Sequence, residues 1–241
     1  MLLTLGDFCV IKRNIKEAID LWLLFCYNKR KKGAKKMKRQ NGLVCGVGIS
    51  DNGKYKKWVN KKDTREYAMW QKMIARCYYD KSLVKEPTYL ECTVSSEFLS
   101  FQTFAEFYTQ NKWTNDRVLI PDKDILSHGK AKIYARETIV FVDRFINTIF
   151  TKRQRFRGDL PIGVSIRRYK SGTIKYVPVC NEYGKCVYLG TYFTPQEAFL
   201  KYKEEKERYI KEVANKYKEQ FPKFPQKLYD AMMNYEVLEN D

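Results

Sequence analysis

Residues 162–202, IGVSIRRYKSGTIKYVPVCNEYGKCVYLGTYFTPQEAFLKY, run three short strand patterns straight into a helix that carries its own start signal. Thr194-Pro195-Gln196-Glu197 is a capping box with proline at the first helical position. The Thr194 hydroxyl accepts from the Glu197 amide while the Glu197 carboxylate reaches back. Ala198, Phe199, Tyr202 and Lys206 share one stripe of that helix, so it has a face that must be covered. Alternation turns Val164, Ile166, Ile174, Tyr176 and Leu189 toward the helix, and Ser165, Arg167, Tyr169, Thr173, Lys175, Val177 and Tyr188 away from it. The expected unit is a three-stranded antiparallel sheet packed on one helix, with arginine, lysine and tyrosine on its open face.

Composition gives that open face a use. The chain of 241 residues is 44% hydrophobic, enough to bury a core in one large or two small domains. Its 46 Lys+Arg against 28 Asp+Glu leave a net charge of +18. Such an excess favours a polyanionic partner, because each phosphate neutralised releases a condensed counterion. A solvated basic surface with no partner is the plain alternative.

The cysteines, Cys9, Cys26, Cys45, Cys77, Cys92, Cys180 and Cys186, are odd in number and include no Cys-x-x-Cys pair. No zinc site is expected. Without a secretory signal they read as free thiols of a reducing cytoplasm. The longest apolar run, residues 21–27, is far shorter than the about 20 residues that span a bilayer, so no transmembrane segment is expected.

Residues 15–32 have helical spacing of Ile15, Ile19, Trp22, Leu23 and Cys26, and they run into a cationic stretch at 29–39. This is a docked N-terminal helix, a membrane-surface or partner element, or sequence upstream of a start at Met37. Residues 43–49, LVCGVGI, read as a β-type run followed by turn chemistry at Asp51-Asn52-Gly53. A helix is expected over 64–79 with Tyr67, Trp70, Ile74 and Cys77 inward. Ser100 then caps a helix whose apolar side is Phe101, Phe104, Ala105 and Tyr108. Residues 118–126 and 133–134 read as strand, loop, strand, and 138–150 as a strand leading into a helix. The fold class is therefore α+β. Further on, alternating charges along 204–218 predict a solvated helix, ended by Phe221-Pro222-Lys223-Phe224-Pro225. A short last helix over 226–235 has Leu228, Tyr229 and Met232 on its apolar side.

The succession GVGI (46–49), W-x-x-M-x-x-RCY (70–78), PTY-x-x-CTV (87–94), F-x-x-F (101–104), DKDIL (122–126), Tyr134 and IN (146–147) resembles a family of tailed-phage proteins. Members are labelled HNH-endonuclease-like and carry a C-terminal APETALA-type DNA-binding domain. The resemblance implies an α+β architecture: a degenerate, ββα-containing HNH-like module at 40–150, a basic joint at 151–157, an APETALA-type domain at 158–213 and a helical tail at 214–241. A basic helical extension at 1–39 lies before it. It also implies the cytoplasm of an infected bacterial host as the location.

HNH chemistry grips one divalent metal between a hairpin and a helix, with a histidine to deprotonate water. This chain has one histidine, His128, so a two-histidine site is excluded. On the resemblance, Asp122 and Asp124 would hold Mg2+ or Mn2+, His128 would be a displaced base and Asn147 the orienting residue. Strand alternation would put both carboxylates on one face. The competing reading pairs them with surplus lysines and leaves His128 in an ordinary turn.

GV-x-x-R (163–167) and YLGTYFTPQEA (188–198) resemble the ethylene-response-factor, or APETALA-type, domain, whose sheet lies in the major groove. The resemblance places Arg167, Tyr169 and Tyr188 on DNA-touching positions. Arg168, Lys170 and Lys175 extend that surface, and Arg153, Arg155 and Arg157 of the preceding KRQRFRG run would track phosphates. An arginine on a rigid strand can read guanine O6 and N7 with two hydrogen bonds. The sequence thus points first to double-stranded DNA binding, then to a metal-dependent, homing-type nuclease, and third to an inhibitor or adaptor of a host protein.

Overall fold

Two helix starts are fixed by side chains that satisfy amides the helix itself cannot pair. Thr64 accepts from the Tyr67 amide at 3.4 Å and opens α1 (Arg65–Tyr78). Ser100 accepts from the Thr103 amide at 3.2 Å and opens α3 (Phe101–Asn111). In this computed structural model the described residues are 42–152 and 159–239. The expected N-terminal helix at 15–32, its basic continuation, and Arg153, Arg155 and Arg157 of the joint lie outside them.

The chain is mixed helix and sheet, and its sheets are small. It divides into two units: the described residues up to Glu106 with Lys132–Tyr134, and Phe107–Ala131 with the residues from Ala135 onward. The division falls inside α3, and none separates 135–150 from 159–239.

In the first unit, residues 43–49 form a tight turn rather than the expected strand. Cys45 and Gly46 take φ of 51° and 79°, and the amides of Val44 and Gly48 bond each other's carbonyls at 2.8 Å. Gly48 lies against the Trp70 ring, where a Cβ would come within 3.0 Å. A hairpin of β1 (Trp58–Val59) and β2 (Lys62–Asp63) precedes α1. α1 buries Tyr67, Trp70, Ile74 and Cys77 on the face expected of it, and the Trp70 indole donates to the Phe98 carbonyl at 2.9 Å. α2 (Asp80–Lys85) follows, then β3 (Thr93–Val94), and Phe101, Phe104 and Ala105 of α3 are fully buried.

The second unit is built on β4 (Leu119–Asp122). β5 (Ile133–Tyr134) returns to the first unit to pair in parallel with β3. β6 (Val140–Asp143) pairs antiparallel with β4, Leu119 opposite Asp143 and Asp122 opposite Val140. α4 (Arg144–Ile149) starts at once, because the Asp143 carboxylate accepts from the Ile146 amide at 2.9 Å. β7 (Val164–Arg168), β8 (Ile174–Glu182) and β9 (Lys185–Tyr188) form a three-stranded antiparallel sheet in that order. α5 (Pro195–Gln220) and α6 (Gln226–Met233) complete the unit.

α5 runs unbroken from its capping box, and its second half departs from the sequence reading. Residues 204–218 were expected to be solvated, yet Tyr209, Ile210, Val213, Ala214 and Tyr217 are buried. Alternating charges hid a stripe whose partners are distant in sequence. Trp113 meets the rings of Tyr217, Phe221 and Phe224 at 6.0, 4.9 and 5.2 Å. Tyr217 Oη donates to Asp143 Oδ2 at 2.8 Å, and Arg117 donates to the same oxygen at 2.6 Å. These links hold the β4–β6 pair and α5 in one unit.

Candidate nucleic-acid interface

Local chemistry holds the β7–β9 sheet in shape. Its first turn closes through the Tyr169 amide on the Thr173 carbonyl at 2.9 Å, with Gly172 at φ 84°. Its second uses Tyr183 and Gly184, both at positive φ, which suits a two-residue hairpin. The Tyr183 amide is pinned by Tyr209 Oη of α5 at 2.8 Å. Gly163, at φ 77°, lies on the ring of Tyr202, so helix and sheet approach where a side chain would not fit. The capping box forms as the sequence dictates, Glu197 amide to Thr194 Oγ1 and Thr194 amide to Glu197 Oε2, each at 3.2 Å.

Register assigns the faces. Val164 pairs with Pro178 and Ile166 with Tyr176; this face, with Cys180 fully buried, is the one that α5 covers. Ile166 and Ile174 have that parity but are 41% exposed. Arg168, opposite Ile174, has it too, so Arg168 does not share a face with Arg167. On the other face Arg167 stands opposite Lys175 and Ser165 opposite Val177, and Tyr188, opposite Val179, joins them. Tyr188 is 67% exposed. Val177, expected in solvent, is buried: β8 is the central strand, and a short side chain there is flanked on both sides.

The cations of this sheet contrast with those of the helix. Arg208 on α5 is held by Glu182, Glu205 and Glu212 at 2.7 to 3.0 Å. Arg167, Arg168 and Lys170 are exposed and make no ion pair among the described residues. The Lys175 ammonium sits over the Phe193 ring. Lys206, read as part of the helix stripe, is half-buried, and burial lowers its pKa beside Cys180. No helix among the described residues is long and apolar enough to cross a membrane.

No family model, curated protein or solved structure matches the chain.

The residues considered for catalysis sit in different local settings. Asp122 ends β4, and its Oδ1 accepts from the amides of Asp124 and Ile125 at 2.8 and 2.9 Å. Burial raises its pKa, against the pull of those two amides. Asp124 lies past the strand end, so the alternation expected of the pair does not apply. Its carboxylate binds the buried ammonium of Lys123 at 2.6 Å. His128 takes φ 52° in an exposed turn and stacks on Tyr235 at 5.1 Å. Asn147 lies on α4 and is half-buried. No cluster of three acidic, histidine or cysteine side chains with metal-binding geometry occurs among the described residues.

Two features escaped the sequence reading. The Arg117, Asp143 and Tyr217 network joins residues up to 100 positions apart, and no local pattern announces it. The β1–β2 hairpin carries five lysines around an exposed tryptophan, and its signal was in plain view as KYKKWVNKK (54–62).

Proposed function

We propose that the chain is a double-stranded DNA-binding protein that lays the open face of the β7–β9 sheet in the major groove. The observation that carries this reading is the pairing of Arg167 with Lys175 across two strands of an exposed face. Like charges directly opposite one another destabilise a sheet, and a polyanion relieves the repulsion. Tyr188 on the same face adds an aromatic ring with a polar tip. The element order, three antiparallel strands and then a capped helix, is what the resemblance to APETALA-type domains implies. In this reading Arg167 reads a base edge, while Lys175, Lys170 and Tyr169 position the duplex. Arg168 contributes at the strand end.

The test is a gel shift with duplex DNA at rising salt, beside incubation of supercoiled plasmid with Mg2+ or Mn2+. Affinity that falls steeply with salt, loses sequence preference in Arg167→Ala and comes without nicking supports the proposal. Nicking that Asp122→Ala or His128→Ala abolishes would move the nuclease reading ahead. No shift at low salt would overturn DNA binding and favour a host protein as partner.

A further inference from the structure

The hairpin of the first unit is a cationic mount, hydrogen-bonded at its base, for an aromatic ring. Lysines occupy positions 54, 56, 57, 61 and 62. Asn60 and Lys61 have φ of 51° and 61°, a left-handed two-residue turn whose twist matches the strands it joins. The base of the hairpin is fastened twice. Thr64 donates its amide to the Lys57 carbonyl and its hydroxyl to the Lys56 carbonyl, each at 2.8 Å. The Gln102 side chain then clamps Tyr55, accepting from its amide at 2.9 Å and donating to its carbonyl at 2.8 Å. Gly53 lies so near that a Cβ would come within 2.7 Å of Gln102 Oε1.

Trp58 is 48% exposed on this mount, whereas Trp70 and Trp113 are 0% and 4% exposed, with their indole N–H groups bonded to backbone carbonyls. Tyr67 meets the Trp58 ring edge-to-face at 5.7 Å, and the Lys57 ammonium lies 5.3 Å from its centroid. Lys54, Lys56, Lys61 and Lys62 are exposed and form no ion pair among the described residues.

We propose that the β1–β2 hairpin is a second nucleic-acid contact, which stacks an unpaired base on Trp58 while Lys54, Lys56, Lys61 and Lys62 follow the adjoining phosphates. A ring already partly covered by Tyr67 and Lys57 takes one base on its remaining surface. That suits a single strand better than an intact stack of base pairs. Stacking tolerates any base, and phosphate contacts carry no sequence information, so the site would supply affinity rather than preference. It lies in the first unit and stands independently of the sheet reading.

Tryptophan emission of the full chain, carrying Trp22→Phe to leave Trp58 as the exposed indole, tests this against oligo(dT) and a blunt duplex. Oligo(dT) is expected to quench emission, Trp58→Phe to remove the quench, and Trp58→Ala to weaken oligo(dT) binding about tenfold. The Lys61→Ala, Lys62→Ala double variant should lower the log–log salt slope by about 1.4. Binding without quenching, equal quenching by the duplex, or no oligo(dT) binding would each overturn the proposal. Arg167→Glu should leave the quench intact. Its effect on duplex affinity reports on the sheet alone.

Discussion

Arg167 on β7 stands directly opposite Lys175 on β8, two cations sharing one face of a three-stranded sheet. A fold selected for stability alone would place opposite charges there. Arg167→Glu would create such a pair while leaving Lys175 over Phe193. It is expected to raise stability by about 0.2–1 kcal/mol in urea unfolding and to weaken duplex binding at least tenfold in a gel shift. A variant that loses stability, or one that binds DNA unchanged, would contradict the role proposed for this pair.

Asp143 collects the Ile146 amide, the Arg117 guanidinium and the Tyr217 hydroxyl while nearly buried. Tyr217→Phe removes one bond to a charged acceptor and should cost about 1.5–3 kcal/mol. Asp143→Ala also removes the cap of α4 and strips Arg117 of its carboxylate, so a larger loss, about 3 kcal/mol or more, is expected. Chemical denaturation of both variants checks the order.

Gly163 holds φ at 77° with the Tyr202 ring against it. Alanine there meets both a strained backbone and the Tyr202 ring, and about 2–3 kcal/mol of stability should be lost. Circular dichroism melting of Gly163→Ala, with Gly172→Ala as a comparison having the same hand of backbone but open space, separates the two costs.

Burial raises the Asp122 pKa above its ordinary 3.8. A folded-state pKa above the unfolded one means that the contribution to stability is complete below pH 3.8 and is lost as pH rises through the folded value. Asp122→Asn keeps an oxygen to accept from Asp124 and Ile125 but has no charge to desolvate. The variant should exceed the parent in urea midpoint at pH 7, and that margin should vanish near pH 3.5. A margin independent of pH would point to repacking instead.

Elements announced by short-range chemistry were legible. The box at Thr194, the Ser100 cap and the inward faces of α1 and α3 depend on residues three or four apart, which a reader of the chain can see. Pairings between distant residues were not. The turn at 43–49 resembles a strand in composition, but Cys45 and Gly46 take positive φ and Gly48 must fit beneath Trp70. Arg168 looked like a neighbour of Arg167 in function, yet one step along a strand sends a side chain to the opposite face.

By itself the sequence determined the α+β class, the capped helix after three strands and the cationic excess, because capping, alternation and charge are properties of neighbours or of sums. Tertiary structure alone decided which cations share a face. It turned the solvated-looking half of α5 into core, and it directed Asp122 to its own loop and Asp124 to Lys123. Each of those outcomes rests on which distant group arrives to satisfy a ring, a charge or a carbonyl, and no local pattern carries that information.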